Sequence, residues 1–258
     1  MTYTSLLTQE SEGIFTITLH RPERRNALTA VMRSELIDAF NTARDHADIL
    51  ILTGSGAAFC AGLDLSALES LANSSPEEQI EDAEQIADLF RTLYTLPIPS
   101  IAAVNGAAIA GGTGLATLCD FTIAVPEAKF GYTEVRIGFV PALVSAYLSM
   151  QIGTKEAKRL LLSGRLFDAQ EASHLGLVDE LVAANELMPH AHALAQELLK
   201  NSPAAMRQTK QLFLDETMPE LHQRIALALS ANVEARKHPD FKEGLRAFLD
   251  KRKPQWQR

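Results

Sequence analysis

Cysteine and net positive charge are both scarce in this chain. Its 258 residues contain two cysteines, and 24 Lys and Arg stand against 32 Asp and Glu, for a formal net charge of -8. Cys60 and Cys119 share no CxxC spacing and have no paired histidines, which speaks against a zinc centre or a disulfide scaffold and fits a reducing cytoplasm. The acidic balance disfavours a general nucleic-acid or membrane-surface binder, because phosphate contacts need clustered Lys and Arg. The seven histidines form no HExxH pattern, and neither a GxxxxGK(S/T) phosphate loop nor a GxSxG nucleophile elbow occurs. "GSGAAF" at 54–59 begins like a dinucleotide fingerprint but has Phe59 where the third glycine belongs. The opening MTYTSLLTQESEG lacks a basic region followed by an apolar run, so no signal peptide is expected. Residues 98–119 carry no charge over roughly the ~20 residues a bilayer span needs, yet Pro99, Asn105 and the glycines favour a buried strand, a loop and a helix start.

What is present reads as alternating strands and helices. Phe15, Ile17 and Leu19 alternate with polar residues as in a half-buried strand, and "RPERRNAL" then opens a loop. Thr29 is placed to cap a helix whose apolar face holds Met32, Leu36, Phe40 and Ala43. "ILIL" at 49–52 suits a strand covered on both faces. Pro76 starts an amphipathic helix through Ile80, Ala83, Ala87, Phe90 and Tyr94, which "LPIP" ends. "SIAAV", a glycine turn, a helix from about Gly112 and the strand "FTIAV" follow. Asp168 with Glu171 resembles a capping box, and helical patterns dominate from there. The expectation is an α/β core with crossover connections over residues 1–190 and a helical region over 191–258. That last region ends in a basic tail, in which Arg236, Lys237, Lys242, Arg246, Lys251, Arg252, Lys253 and Arg258 face three acids. A solvated helix face or a site for a small polyphosphate ligand would each account for it.

"VNGAAIAGGTGLATLCD" at 104–120 is almost stripped of side chains. Glycine lets a ligand atom reach backbone amides, and a helix starting there directs unpaired N–H groups at it. "AAFCAGLDL" at 57–65 is a second small-residue loop. Amides converging from the two would stabilise negative charge developing on a carbonyl oxygen. Close packing between a helix and its neighbours would explain the same composition.

The segments "HRPERRNALT", "LTGSGAAFCAGLDL", "PIPSIAAVNGAAIAGGTGLATLCD", "KFGYTEVRIGFVPA" and "LLSGRLFDAQEASHLGLVDELV", in this order, resemble the crotonase (enoyl-CoA hydratase/isomerase) superfamily over nearly the whole chain. The resemblance implies a crotonase-like spiral of β-β-α units and a C-terminal helical trimerisation region, with assembly into a homotrimer or a dimer of trimers. It implies an acyl-CoA thioester substrate, with coenzyme A as part of the substrate and no other cofactor or metal. Carried over by position, the oxyanion amides are those of Ala61 and Gly111, with Gly62, Leu63 and Asp64 lining the same site. Arg24 and the residues after it lie beside the CoA nucleotide, and Lys251 or Lys253 reaches its phosphates.

One group departs from that family's hydratase pattern. Of the expected pair of glutamates, the second is present as Glu134, while the first position is Gly114. A lone carboxylate suffices to shift a double bond, and it can also hydrate one if it carries the proton from water to C2; Asp64 is a conceivable substitute acid. Hydration of a 2-enoyl-CoA is the favoured reading. Δ3-Δ2 isomerisation, a methylglutaconyl-CoA-type hydration, and an inactive acyl-CoA or RNA-binding scaffold are the alternatives. Leu63, Leu65, Phe139 and the 66–82 segment are candidates for shaping an acyl pocket.

Overall fold

Ile49, Leu50, Ile51 and Leu52 are fully buried because their strand has a partner on each edge and packed elements on each face. In the computed structural model, which describes residues 3–71 and 74–256, this strand is β3 (Ile49–Gly54). It runs parallel to β2 (Ile14–Leu19) and to β5 (Ser100–Val104). With β1 (Leu6–Ser11), β7 (Phe121–Ala124) and β10 (Glu180–Leu181) it forms a six-stranded sheet in the order β1-β2-β3-β5-β7-β10, in which only β1 is antiparallel to its neighbour.

A second sheet joins the short strands β4 (Ala58–Cys60), β6 (Ala107–Ile109), β8 (Lys129–Gly131) and β9 (Leu166–Asp168). The three turns that begin with β3, β5 and β7 run from the first sheet to the second and then through helix. After β4 come α2 (Leu65–Leu71) and α3 (Pro76–Tyr94); after β6 comes α4 (Gly111–Thr117). After β8 a 3-10 turn at Glu134–Ile137 leads into α5 (Ala142–Ser163), which Gly153 (φ 74°) divides into two helices. The result is a spiral of β-β-α turns. Helix α1 (Ala30–His46) packs against α3, and α6 (Ala169–His174), α7 (Leu187–Leu198), α8 (Pro203–Lys237) and α9 (Pro239–Leu249) complete the chain. Arg258 of the basic tail and positions 72 and 73 of the 66–82 segment lie outside the described residues. Among the described residues, no helix is long and apolar enough to cross a membrane.

Local chemistry accounts for the boundaries. The Thr29 side chain accepts from the Met32 amide, and Met32, Leu36, Phe40 and Ala43 form the buried face below it. Ser75 and Glu78 form a reciprocal capping box ahead of Pro76. Asp168 does accept from the Glu171 amide, but the Glu171 carboxylate turns to Arg165 and Arg159, so the box expected there is only half made. Ile80 was expected on the apolar face of α3; it stands before the point where α3 meets Arg33 of α1, at Asp82 and Gln85, and remains 42% exposed.

The turns of the spiral touch backbone to backbone. A Cβ at Gly112 would stand 2.2 Å from the Cys60 carbonyl oxygen. Gly62, at φ 81°, would direct a Cβ to 2.8 Å from the Ile109 carbonyl oxygen. Two opposed effects meet at Gly112, since helix propensity alone makes Gly→Ala favourable by about 1 kcal/mol in α4. Contact wins, because a backbone carbonyl cannot swing aside as a side-chain tip can. Gly112→Ala is expected to destabilise the protein by about 3 kcal/mol. Gly176→Ala, at φ 74° with nothing within 4 Å of its Cβ, should cost only about 1 kcal/mol. Urea unfolding of the two variants checks the order; a Gly112→Ala protein as stable as the parent would remove the contact from this account.

Candidate active site

Short hydrogen bonds fix the loop after β4 from one side. The Leu28 amide donates to the Gly62 carbonyl at 2.8 Å, and the Asp64 amide donates to the Leu28 carbonyl at 3.0 Å, as in one rung of a parallel ladder. That rung turns the Leu63 amide to the side away from Leu28. Buried Asn26 reinforces the arrangement, its Nδ2 donating to the carbonyls of Ser55, Ala58 and Phe59. The Ala61 amide donates to the Arg25 carbonyl at 3.0 Å. It is therefore committed within the protein, which corrects the expectation that Ala61 is an oxyanion donor. Among the described residues no acceptor takes the N–H of Leu63.

The turn between β6 and α4 supplies the second free amide. Thr113 Oγ1 donates to the carbonyl of Ala108 at 2.6 Å, and the Ala110 amide donates to the Gly131 carbonyl, also at 2.6 Å. Ala110 is held at φ 53°, ψ -123°, a conformation that L residues rarely adopt and that costs of order 1–3 kcal/mol unless its surroundings enforce it. Gly111 follows as the first residue of α4, where the amide has no intrahelical acceptor. Among the described residues none takes its N–H. A Cβ at Gly111 would meet only the Phe90 and Leu28 side chains, at 3.6 and 3.9 Å.

Leu63, Gly111 and Glu134 line one cavity of about 400 Å3, whose wall is mostly apolar. Glu134 begins the 3-10 turn after β8. Helix α9 docks on that turn through two bare positions: a Cβ at Gly138 would lie 2.3 Å from the Asp240 carbonyl oxygen, and one at Gly244 would lie 2.4 Å from the Ile137 carbonyl carbon. Although part of the residue is exposed, Oε2 of Glu134 is sealed from solvent and has no hydrogen-bond partner. Burial pushes its carboxyl up to about 7 from an ordinary value of 4.5, opposed only by its own backbone amide. The Cys60 and Cys119 thiols are both buried and pushed up to about 12, so neither supplies a thiolate near neutrality.

The other sequence-named residues divide. Leu63, Leu65, Leu68 and Phe139 line the cavity. Asp64 does not: its Oδ2 accepts from Arg21 Nη1 at 3.2 Å, its Oδ1 accepts from the Ser66 amide at 3.1 Å, and it lines a neighbouring hollow. Arg24 is exposed on the turn before the loop, and Arg25, which the sequence reading did not single out, stands at the cavity wall. Lys251 and Lys253 are exposed beyond α9; the Lys251 amide donates to the carbonyl of Phe248, a cavity residue, at 3.2 Å. Position 114 is not an open vacancy. A Cβ there would meet Val144 Cγ1 at 3.0 Å and Phe90 Cζ at 3.3 Å, so apolar side chains already take up the space.

Known proteins resemble this chain over nearly its whole length. The enoyl-CoA hydratase/isomerase family matches residues 9–258. A Thermus thermophilus protein provisionally named enoyl-CoA hydratase is 43% identical over 249 residues, covering 96% of this chain and 98% of its own. The crotonyl-CoA hydratase of Syntrophomonas wolfei is 33% identical over 257 residues, covering 98% of both chains. Among solved structures, an enoyl-CoA hydratase from Bacillus halodurans superposes with a TM-score of 0.89 at 28% identity, covering 95% of this chain and 100% of its own.

The buried carboxyl has a measurable consequence for folding. Because its folded value lies above its unfolded one, its contribution to stability is fully present below about pH 4.5 and is lost as pH rises through about 7. Glu134→Gln should therefore stabilise the protein at pH 8 by up to about 3 kcal/mol and change little at pH 4. Chemical unfolding at the two pH values checks the sign; equal effects at both would mean that the carboxyl is not held in a dry site.

Proposed function

The chain is an enzyme of the enoyl-CoA hydratase/isomerase family, and we propose that it adds water across the C2–C3 double bond of a 2-enoyl-CoA. The observation that carries this reading is a carboxyl with one oxygen sealed and unpartnered, sharing a mostly apolar cavity with two unclaimed backbone amides. The amides of Leu63 and Gly111 donate to the thioester oxygen. Glu134, as carboxylate, takes a proton from water while the water oxygen bonds to C3. The C2–C3 π electrons shift so that negative charge collects on the thioester oxygen as an enolate. Reprotonation at C2 by the same carboxyl closes the cycle, with one water consumed and the base regenerated.

The division of labour follows from magnitudes. One oxyanion donor contributes about 3–4 kcal/mol to the barrier, because a fixed N–H in a dry site needs no reorganisation as charge develops. A proton carrier contributes about 100- to 10,000-fold, and most when its pKa lies near the working pH, which a value of about 7 satisfies. Apolar filling at Gly114 supports a single-carboxyl mechanism, in which Glu134 handles both proton transfers. A Δ3-Δ2 isomerase would use the same donors and the same carboxyl to move a proton between C2 and C4. The CoA moiety extends toward Arg24 and Arg25, with Lys251 or Lys253 near its phosphates, and association of subunits through the helical region completes this reading.

Absorbance of the conjugated thioester separates the chemistries: it falls when crotonyl-CoA is hydrated and rises when a 3-enoyl-CoA is isomerised. Hydration is expected to dominate, and a rise with 3-enoyl-CoA alone would replace it by isomerisation. Glu134→Gln should lower kcat by about 100- to 10,000-fold while leaving the affinity for a saturated acyl-CoA within a few-fold. In the parent, kcat/KM should rise with pH through about 7 as the carboxyl ionises. Gly114→Glu should lower activity, since its side chain must displace Val144 and Phe90; a gain would show that the cavity can accept a second acid.

A further inference from the structure

The cavity wall contains one side-chain amide, Asn232 of α8, which is 3% exposed. Its orientation is fixed from behind. Arg236, one helical turn further on, donates from Nε to Asn232 Oδ1 at 2.9 Å. A guanidinium can only donate, so the oxygen of Asn232 must face Arg236 and Nδ2 must face away. Nδ2 donates to no acceptor among the described residues and is not sealed, which leaves an open donor on a mostly apolar wall whose other polar side chains are those of Arg25, Thr133, Glu134 and Arg136.

Arg236 is itself locked. It is 1% exposed, donates from Nη2 to Asp82 at 2.8 Å, and lies with Cζ 5.8 Å from the centre of the Phe139 ring, another cavity residue. Asp82 also pairs with buried Arg33, whose Nε donates to Gln85 at 2.8 Å. Nη1 of Arg236 is buried without a partner. Behind the amide two guanidinium groups are thus bound to a single carboxylate, with Asp64 and Glu78 lining the hollow that Arg33 and Asp82 share.

We propose that Asn232, positioned by Arg236, selects the acyl chain, and that the preferred substrates are 2-enoyl-CoA thioesters whose acyl end carries a carboxylate. This rests on the hydration reading for the identity of the thioester and deepens it. A hydrocarbon tail that expels water from the wall leaves Nδ2 without an acceptor, whereas a carboxylate oxygen accepts from it, with the Arg236 guanidinium directly behind. Arg236 does not touch the substrate; it sets the rotamer of the residue that does.

The test compares chains of equal length: glutaconyl-CoA against 2-pentenoyl-CoA for kcat/KM, and unreactive glutaryl-CoA against pentanoyl-CoA for binding by calorimetry. The parent should favour the carboxylate-ended member of each pair. Asn232→Leu should cut that preference by roughly 10- to 100-fold, whereas a merely structural role would move both members of a pair together. Asn232→Asp keeps an acceptor for Arg236 but presents negative charge to the cavity, so it should abolish the preference as well and serves if the leucine variant does not fold. A parent that binds pentanoyl-CoA as well as glutaryl-CoA, or variants that retain the parental ratio, would overturn the proposal. If neither enoyl thioester is turned over but the binding preference is present and lost in the variants, hydration fails and the selecting role of Asn232 stands.

Discussion

Everything at the cavity depends on how closely two loops from successive turns of the spiral approach each other. The Cys60 carbonyl presses on the bare α-carbon of Gly112, and the Ile109 carbonyl on that of Gly62. With the loops interlocked, neighbouring hydrogen bonds decide which amides are spent and which stay open. The rung between Leu28 and residues 62 and 64 takes two groups and excludes Leu63; the contact of β6 with β8 takes the Ala110 amide and excludes Gly111. Small side chains in this region therefore serve packing and electrostatics together. The backbone must be bare so that the loops can meet, and their meeting leaves two backbone amides open to one cavity. Ala110 carries strain at the junction, held by Thr113 and Gly131.

The same cavity is lined by a carboxyl whose Oε2 the fold seals from solvent. Its turn is clamped by α9, whose backbone reaches Gly138 and whose own Gly244 lets the turn approach in return. Helix α9 thus borders the turn that carries the carboxyl. The same helix contributes Phe248 to the wall.

The open polar groups of the cavity come from different parts of the fold. The donors and the carboxyl come from loops of the spiral core, while Asn232 comes from a helix tied to α1 and α3 through Arg236, Asp82 and Arg33. Buried ion pairs add little net stability, since desolvating the charges offsets most of their attraction, but they fix geometry. Fixing an amide rotamer is a use for one.

Periodicity and capping chemistry were legible in the amino-acid order. The buried run of β3, the start of α1 at Thr29, the start of α3 at Pro76 and the strand at Ser100–Val104 all follow from patterns within a few residues. The isolated carboxylate and the missing partner at Gly114 were equally visible as residue types, and the family resemblance gave them a meaning. Strands of three residues, such as β4, β6, β8 and β9, are too short to show an alternating pattern and exist because neighbouring turns of the spiral supply their partners. Whether an amide is free depends on a carbonyl more than 30 residues away, so the choice of Leu63 over Ala61 lay beyond any local signal. The filling of position 114 by Phe90 and Val144, and the lock on Asn232 by an arginine bound to Asp82, were likewise settled by contacts between distant segments. Sequence determined which groups were at hand; tertiary packing decided which of them remained unpaired, and an unpaired group is one that can act on a substrate.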